Sequence, residues 1–156
     1  MSLANGRTYL AIPGPSVMPD RVLAAMQRPA PNIYEGDLID MTARVVGDLR
    51  SVAGTKEHVA IYIANGHGGW EAANANLFSR GDTALVAITG RFGQGWAGSA
   101  AALGVKVDTL DFGLKSPADP NRIEAALRAD KDRRFRAVMV THVDTATSIR
   151  NDIPAI

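Results

Sequence analysis

The apolar positions along the chain fall into blocks of two kinds. Residues 59–64 (VAIYIA), 83–89 (TALVAIT), 105–110 (VKVDTL) and 137–141 (AVMVT) are short apolar runs with the length and β-branched content of buried strands. Elsewhere the apolar residues recur three or four positions apart. Val22, Leu23 and Met26 share one face of a helix that opens at Pro19-Asp20, runs to about Gln27 and is closed by Pro29 and Pro31. Leu38, Met41, Val45, Val46 and Leu49 make the stripe of a longer helix over 37–52, with Gly54 placed to end it. Both stripes are expected in the core. Further helices are predicted from Trp70, from about Gln94 to Leu103, and over about 121–128. Ahead of them, residues 7–12 read as a short extended segment that runs into the rigid turn Pro13-Gly14-Pro15. Strand alternating with helix predicts an α/β fold: a mostly parallel sheet with flanking helices. Ligands of such sheets gather beyond the carboxyl ends of the strands. Three polar or glycine-rich loops, 65–69, 89–93 and 142–148, leave those ends and are expected to converge on one rim.

The chemistry with most promise lies between Val59 and Phe78, where an apolar run stops at Asn65-Gly66-His67-Gly68-Gly69 and a helix follows. A helix start offers unpaired backbone N–H groups and the positive end of the helix dipole, a ready site for an anion. Glycine lets the backbone approach a ligand with no Cβ in the way. The same residues read equally well as an ordinary tight turn that binds nothing, because neither GxGxxG nor GxxxxGK[ST] is spelled out here.

Composition narrows the field. With 156 residues, 46% hydrophobic and 21% charged, the chain can bury a sizeable core in water. A formal net charge of +1 gives no argument for nucleic acid or an acidic membrane surface. There is no cysteine, which excludes disulfides, thiolate chemistry and a cysteine zinc site, and the three histidines lack metal-pair spacing, so no metal is predicted. No apolar run approaches the roughly 20 residues of a membrane span. Met1-Ser2-Leu3 does not open a basic-then-apolar secretory pattern, so a cytoplasmic location is the default expectation.

Four segments then point to a family. IPGPSVMPDRVLAAM (12–26), NGHGGWEAANANLFSRGD (65–82), GRFGQGWA (90–97) and VTHVDTATS (140–148) occur in the order and rough spacing of class V aminotransferases. The chain resembles most closely the serine–glyoxylate and alanine–glyoxylate branch, from Leu10 to Ile156. The resemblance implies a pyridoxal 5′-phosphate enzyme of fold type I, with a large domain built on a mostly parallel sheet and active sites at a homodimer interface. Residues 1–20 would be an N-terminal arm and 21–156 the first part of that domain. Gly66, His67 and Gly68 match the turn whose N–H groups hold the cofactor phosphate. Phe92 matches the aromatic that stacks on the pyridine ring, and Thr145 the hydroxyl residue near its phenolic oxygen. Gly14 matches a segment whose backbone approaches the substrate carboxylate.

The departures are informative. Asn65 stands where Ser or Thr is usual, Ala146 where Ser is frequent, and Ser148 replaces a glycine, which puts a positive φ at that turn in question. The family's cofactor-holding lysine and its ring-nitrogen aspartate match nothing here: Lys56, Lys106, Lys115 and Lys131 lie outside the motif, and Asp144 matches a different position. No catalytic residue is therefore assigned, and the chain is expected to be the N-terminal portion of a longer enzyme, inactive alone. Other readings remain: a non-catalytic phosphate-binding or dimerisation module, or a fold-type-I lyase or desulfurase relative. Phe92 could simply fill the core beneath the rim. Trp70 and Trp96 are expected in core or dimer packing, Arg91 on the surface, and His142 behind the site.

Overall fold

A computed structural model describes residues 10, 12 and 14–156. The extended segment expected over 7–12, and Pro13, lie almost wholly outside the described residues. The chain divides into two compact units, Met1–Ala60 and Ile61–Ile156.

The first unit carries two helices. Helix α1 (Asp20–Met26) has Pro19 before it and ends ahead of Pro29. Helix α2 (Asp37–Val52) follows the positive-φ Gly36 and closes in a Schellman turn: Gly54, at φ 62°, donates to the Ser51 carbonyl, and Thr55 donates to that of Arg50. Both helices stand where their periodicity predicts, but neither has a buried residue. Leu38, Val46 and Leu49 are half-buried, while Met41, Val45 and Met26 are exposed. The stripes are real. The core expected beneath them is not, because among the described residues of this unit there is no sheet to receive an apolar face.

The second unit is the α/β body. Its order is α3 (Gly66–Leu77), β1 (Thr83–Ile88), α4 (Arg91–Ala102), β2 (Lys106–Asp111), α5 (Pro120–Ala129), β3 (Phe135–Val140) and a two-stranded hairpin, β4 (Val143–Asp144) with β5 (Ile149–Arg150). The three long strands pair in parallel in the order β2-β1-β3. Strand β1 is central, and its period of two divides the core. Ala84 and Val86 face Ala97 and Ala100 of α4, with Val105 and Met139. Leu85 and Ala87 face Ala118 and Ile123 of the α5 side. That sandwich of helix, sheet and helix is the predicted fold class.

One predicted strand is missing. Residues 59–64 form none, and Ile61, Tyr62 and Ile63 are exposed, Ile63 fully. A strand exists only as half of a hydrogen-bonded pair, and no described strand lies beside this run. The apolar pattern states a preference that needs a neighbour to be realised.

Candidate functional site

Helix α3 begins four residues earlier than its sequence suggests, at Gly66 rather than Trp70. Asn65 caps it: its backbone is extended, its Oδ1 accepts from the His67 N–H at 3.1 Å, and its carbonyl accepts from the Gly68 N–H at 3.0 Å. The glycine-rich run is therefore the first helical turn itself. Among the described residues the Gly66 N–H donates to nothing. Gly68 is glycine for a local reason, since a Cβ there would lie 2.3 Å from the Ala64 Cβ.

Packing of α3 on α4 brings four aromatic side chains together. The His67 ring meets Trp70 edge-on at 4.4 Å between centroids and lies 6.2 Å from Phe92. Trp70 is 6.1 Å from Phe92 and stacks on Trp96 at 6.2 Å, with 10° between planes. Behind them the buried Asn74 accepts from the Trp96 Nε1–H at 3.1 Å and reaches Ser99. His67, Trp70, Arg91, Phe92, Gln94 and Gly95 line a cleft of about 350 Å³. Trp70, expected in core or dimer packing, faces this cleft, and Arg91 stands exposed at its lip.

The carboxyl ends of β1 and β3 lie side by side and are tied together by polar residues. Asn151, 1% exposed, accepts from the Ala118 N–H at 2.7 Å and donates to Thr89 Oγ1 at 3.0 Å and to the Thr141 carbonyl at 2.6 Å. Thr147 donates to the Thr89 carbonyl at 3.1 Å. Asp144, wholly buried, takes the N–H groups of Phe92 (2.8 Å) and Gly93 (3.1 Å) on Oδ2 and that of Ala146 (3.0 Å) on Oδ1. The loops 89–93 and 142–148 thus meet at one rim, as predicted, and packing of α3 brings His67 to Phe92 there. Thr145 sits exposed in the β4–β5 turn, next in the chain to Asp144. His142, expected behind the site, is exposed, and its carbonyl accepts from the Asn151 N–H. Gly14 lies exposed in the first unit. Ser148 keeps the turn despite lacking glycine's freedom: its φ is 60° and its N–H donates to the Asp144 carbonyl at 2.8 Å.

Sequence reasoning missed Asn74, Asp144 and Asn151. Each is a buried polar residue with at least one partner 22 or more positions away, so the only available signal was a polar residue in a helix face or at a strand end. Among the described residues, no group of three or more His, Cys, Asp or Glu is placed to hold a metal ion, and no helix is long and apolar enough to cross a membrane.

No family model matches the chain. It is 38% identical over 152 residues to a serine–glyoxylate aminotransferase of Methylorubrum extorquens, an alignment covering 97% of this chain and 38% of that protein. It is 31% identical to a soluble hydrogenase 42 kDa subunit of Anabaena cylindrica, covering 97% of this chain and 40% of that one. Among solved structures, the ureidoglycine–glyoxylate aminotransferase of Bacillus subtilis superposes with a TM-score of 0.76 at 26% identity, covering 92% of this chain and 36% of that one. The chain therefore spans about two-fifths of the length of the curated relatives it matches. Along almost its whole length, then, the chain is similar to the corresponding part of class V aminotransferases, enzymes whose cofactor is pyridoxal 5′-phosphate, and it shares their α/β fold with a parallel sheet.

Proposed function

We propose that this chain holds the phosphate and ring of pyridoxal 5′-phosphate in an enzyme that moves an amino group. The donor would be an amino acid of the serine or alanine class, and the acceptor a small 2-oxo acid such as glyoxylate or pyruvate. The observation that carries the reading is the His67–Phe92 contact, which sets the start of α3 and a flat aromatic face around one cleft.

The residues present suit that cofactor. A phosphate group fits the start of α3, where the Gly66 N–H is unclaimed among the described residues and the helix dipole favours negative charge. The N–H groups of His67 and Gly68 turn toward Asn65, so an anion would share them with the cap. The Asn65 amide, its Oδ1 engaged, keeps its NH₂ as a donor. The start of α4 is no competitor, since the Asp144 carboxylate already occupies it. Phe92 offers a face for a flat heterocycle, Arg91 a positive charge at the lip, and Thr145 a hydroxyl for the ring oxygen. Gly14 would bring its backbone to the substrate carboxylate. When bound, the cofactor supplies an electron sink for the charge left as the substrate's α-proton departs. The part of this chain is to anchor the phosphate and orient the ring so that it faces the substrate. A homodimer and a cytoplasmic location belong to the same reading.

Assay of the protein produced from its complete gene tests it. Serine with glyoxylate, or alanine with glyoxylate, is expected to yield glycine only when pyridoxal 5′-phosphate is supplied. Saturable cofactor binding with elimination but no amino transfer would favour a lyase or desulfurase relative instead. Failure to bind the cofactor would overturn the reading.

A further inference from the structure

Helix α4 has no cap of its own. Its N-cap is Gly90, which has no side chain to offer, and its first turn contains no acidic residue. The cap comes from 52 positions further along the chain: Asp144 Oδ2 accepts from both the Phe92 and Gly93 N–H groups. The carboxylate is wholly buried, and its other oxygen holds the Ala146 N–H. Its own carbonyl accepts from the Thr147 and Ser148 N–H groups at 3.2 and 2.8 Å. Gly90 leaves room for it, since a Cβ there would lie 2.4 Å from the Asp144 Cγ and 2.6 Å from both carboxylate oxygens.

We propose that Asp144 is the positioning residue of the cofactor ring. One buried carboxylate fixes the backbone from which the Phe92 ring projects and, at the same time, the turn that carries Thr145. A negative charge at the start of α4 is favoured by the helix dipole, and hydrogen bonds from N–H groups to a carboxylate are stronger than those between neutral partners. Because Phe92 is the second residue of α4, motion of that first turn is motion of the ring. Asp144 touches neither cofactor nor substrate and acts through Phe92 and Thr145. It also closes the start of α4 to anions, which leaves the start of α3 to the phosphate. The proposal rests on the cofactor reading above.

The test measures pyridoxal 5′-phosphate affinity and the circular dichroism of the bound cofactor's absorption band, on protein from the complete gene, for wild type, Asp144→Asn and Gly90→Ala. Asp144→Asn keeps the side-chain shape and places an NH₂ group against backbone donors. Gly90→Ala keeps every hydrogen-bonding group and pushes the carboxylate from the other side. Both are expected to weaken cofactor binding on the order of tenfold and to change the dichroic band at saturation, because the ring is held in a different place. A role confined to holding the fold would lower the melting temperature and leave the band of the bound cofactor untouched. Both variants folded by far-ultraviolet dichroism, with wild-type affinity and wild-type band, would overturn the proposal while the cofactor reading stands. A wild type that does not bind the cofactor would remove both.

Discussion

At the scale of single residues, Ser148 shows how far a side chain can be forced by its surroundings. Its φ of 60° lies in the left-handed region, which disfavours any residue with a Cβ. The turn holds because two N–H groups, those of Thr147 and Ser148, converge on the Asp144 carbonyl. Ser148→Gly removes that strain and adds some freedom to the unfolded chain. The expected net effect is a stabilisation of about 0.5–1 kcal/mol, read as a higher denaturant midpoint. A lower midpoint would show that the serine side chain stabilises the turn. Asp144 and Asn151 carry the complementary lesson. Nothing local marks Asp144 as the cap of α4, since the helix it caps begins at Arg91 and the link exists only once β1 and β3 are neighbours.

At the scale of elements, what periodicity can state was legible. The spans of α1 and α2, the strands at 83–88, 106–111 and 135–140, and the meeting of the 89–93 and 142–148 loops follow from residue spacing and α/β connectivity. Two elements were misjudged for physical reasons. The start of α3 was hidden by three glycines, which discourage helix by propensity, although Asn65 carries the cap signal just ahead of them. The run over 59–64 has the composition of a strand and no partner to pair with. Two polar links join α3 to α4, both through the buried Asn74, which accepts from the Trp96 indole and donates to Ser99. Asn74→Leu keeps the branched shape of the side chain, with larger methyl groups, and leaves the indole N–H without its acceptor. It is expected to cost about 1–3 kcal/mol in chemical denaturation and to shift the tryptophan emission. An unchanged midpoint would mean that the stacked rings alone join the two helices.

At the scale of the whole molecule, burial is uneven. In the second unit β1 is sealed on both faces, whereas α2 of the first unit exposes Ile39, Met41 and Val45 and borders an apolar cleft of about 510 Å³ with Ile33, Leu38 and Val46. Ile61, Tyr62 and Ile63 add further exposed apolar surface. Apolar surface of this extent favours association. The 156-residue chain is expected to sediment as a concentration-dependent mixture of species, and Ile39→Glu with Met41→Lys to shift it toward monomer. A single monomeric boundary for the unaltered chain at all concentrations would contradict this.

The most direct test of the central claim is a titration with pyridoxal 5′-phosphate and, in parallel, with pyridoxal, followed by tryptophan fluorescence. Trp70 lines the cleft beside His67 and so reports its occupancy. The account predicts saturable quenching by the phosphorylated compound, relieved by inorganic phosphate, with pyridoxal weaker on the order of tenfold or more because it cannot use the start of α3. Equal quenching by the two compounds, or quenching that never saturates, would contradict it.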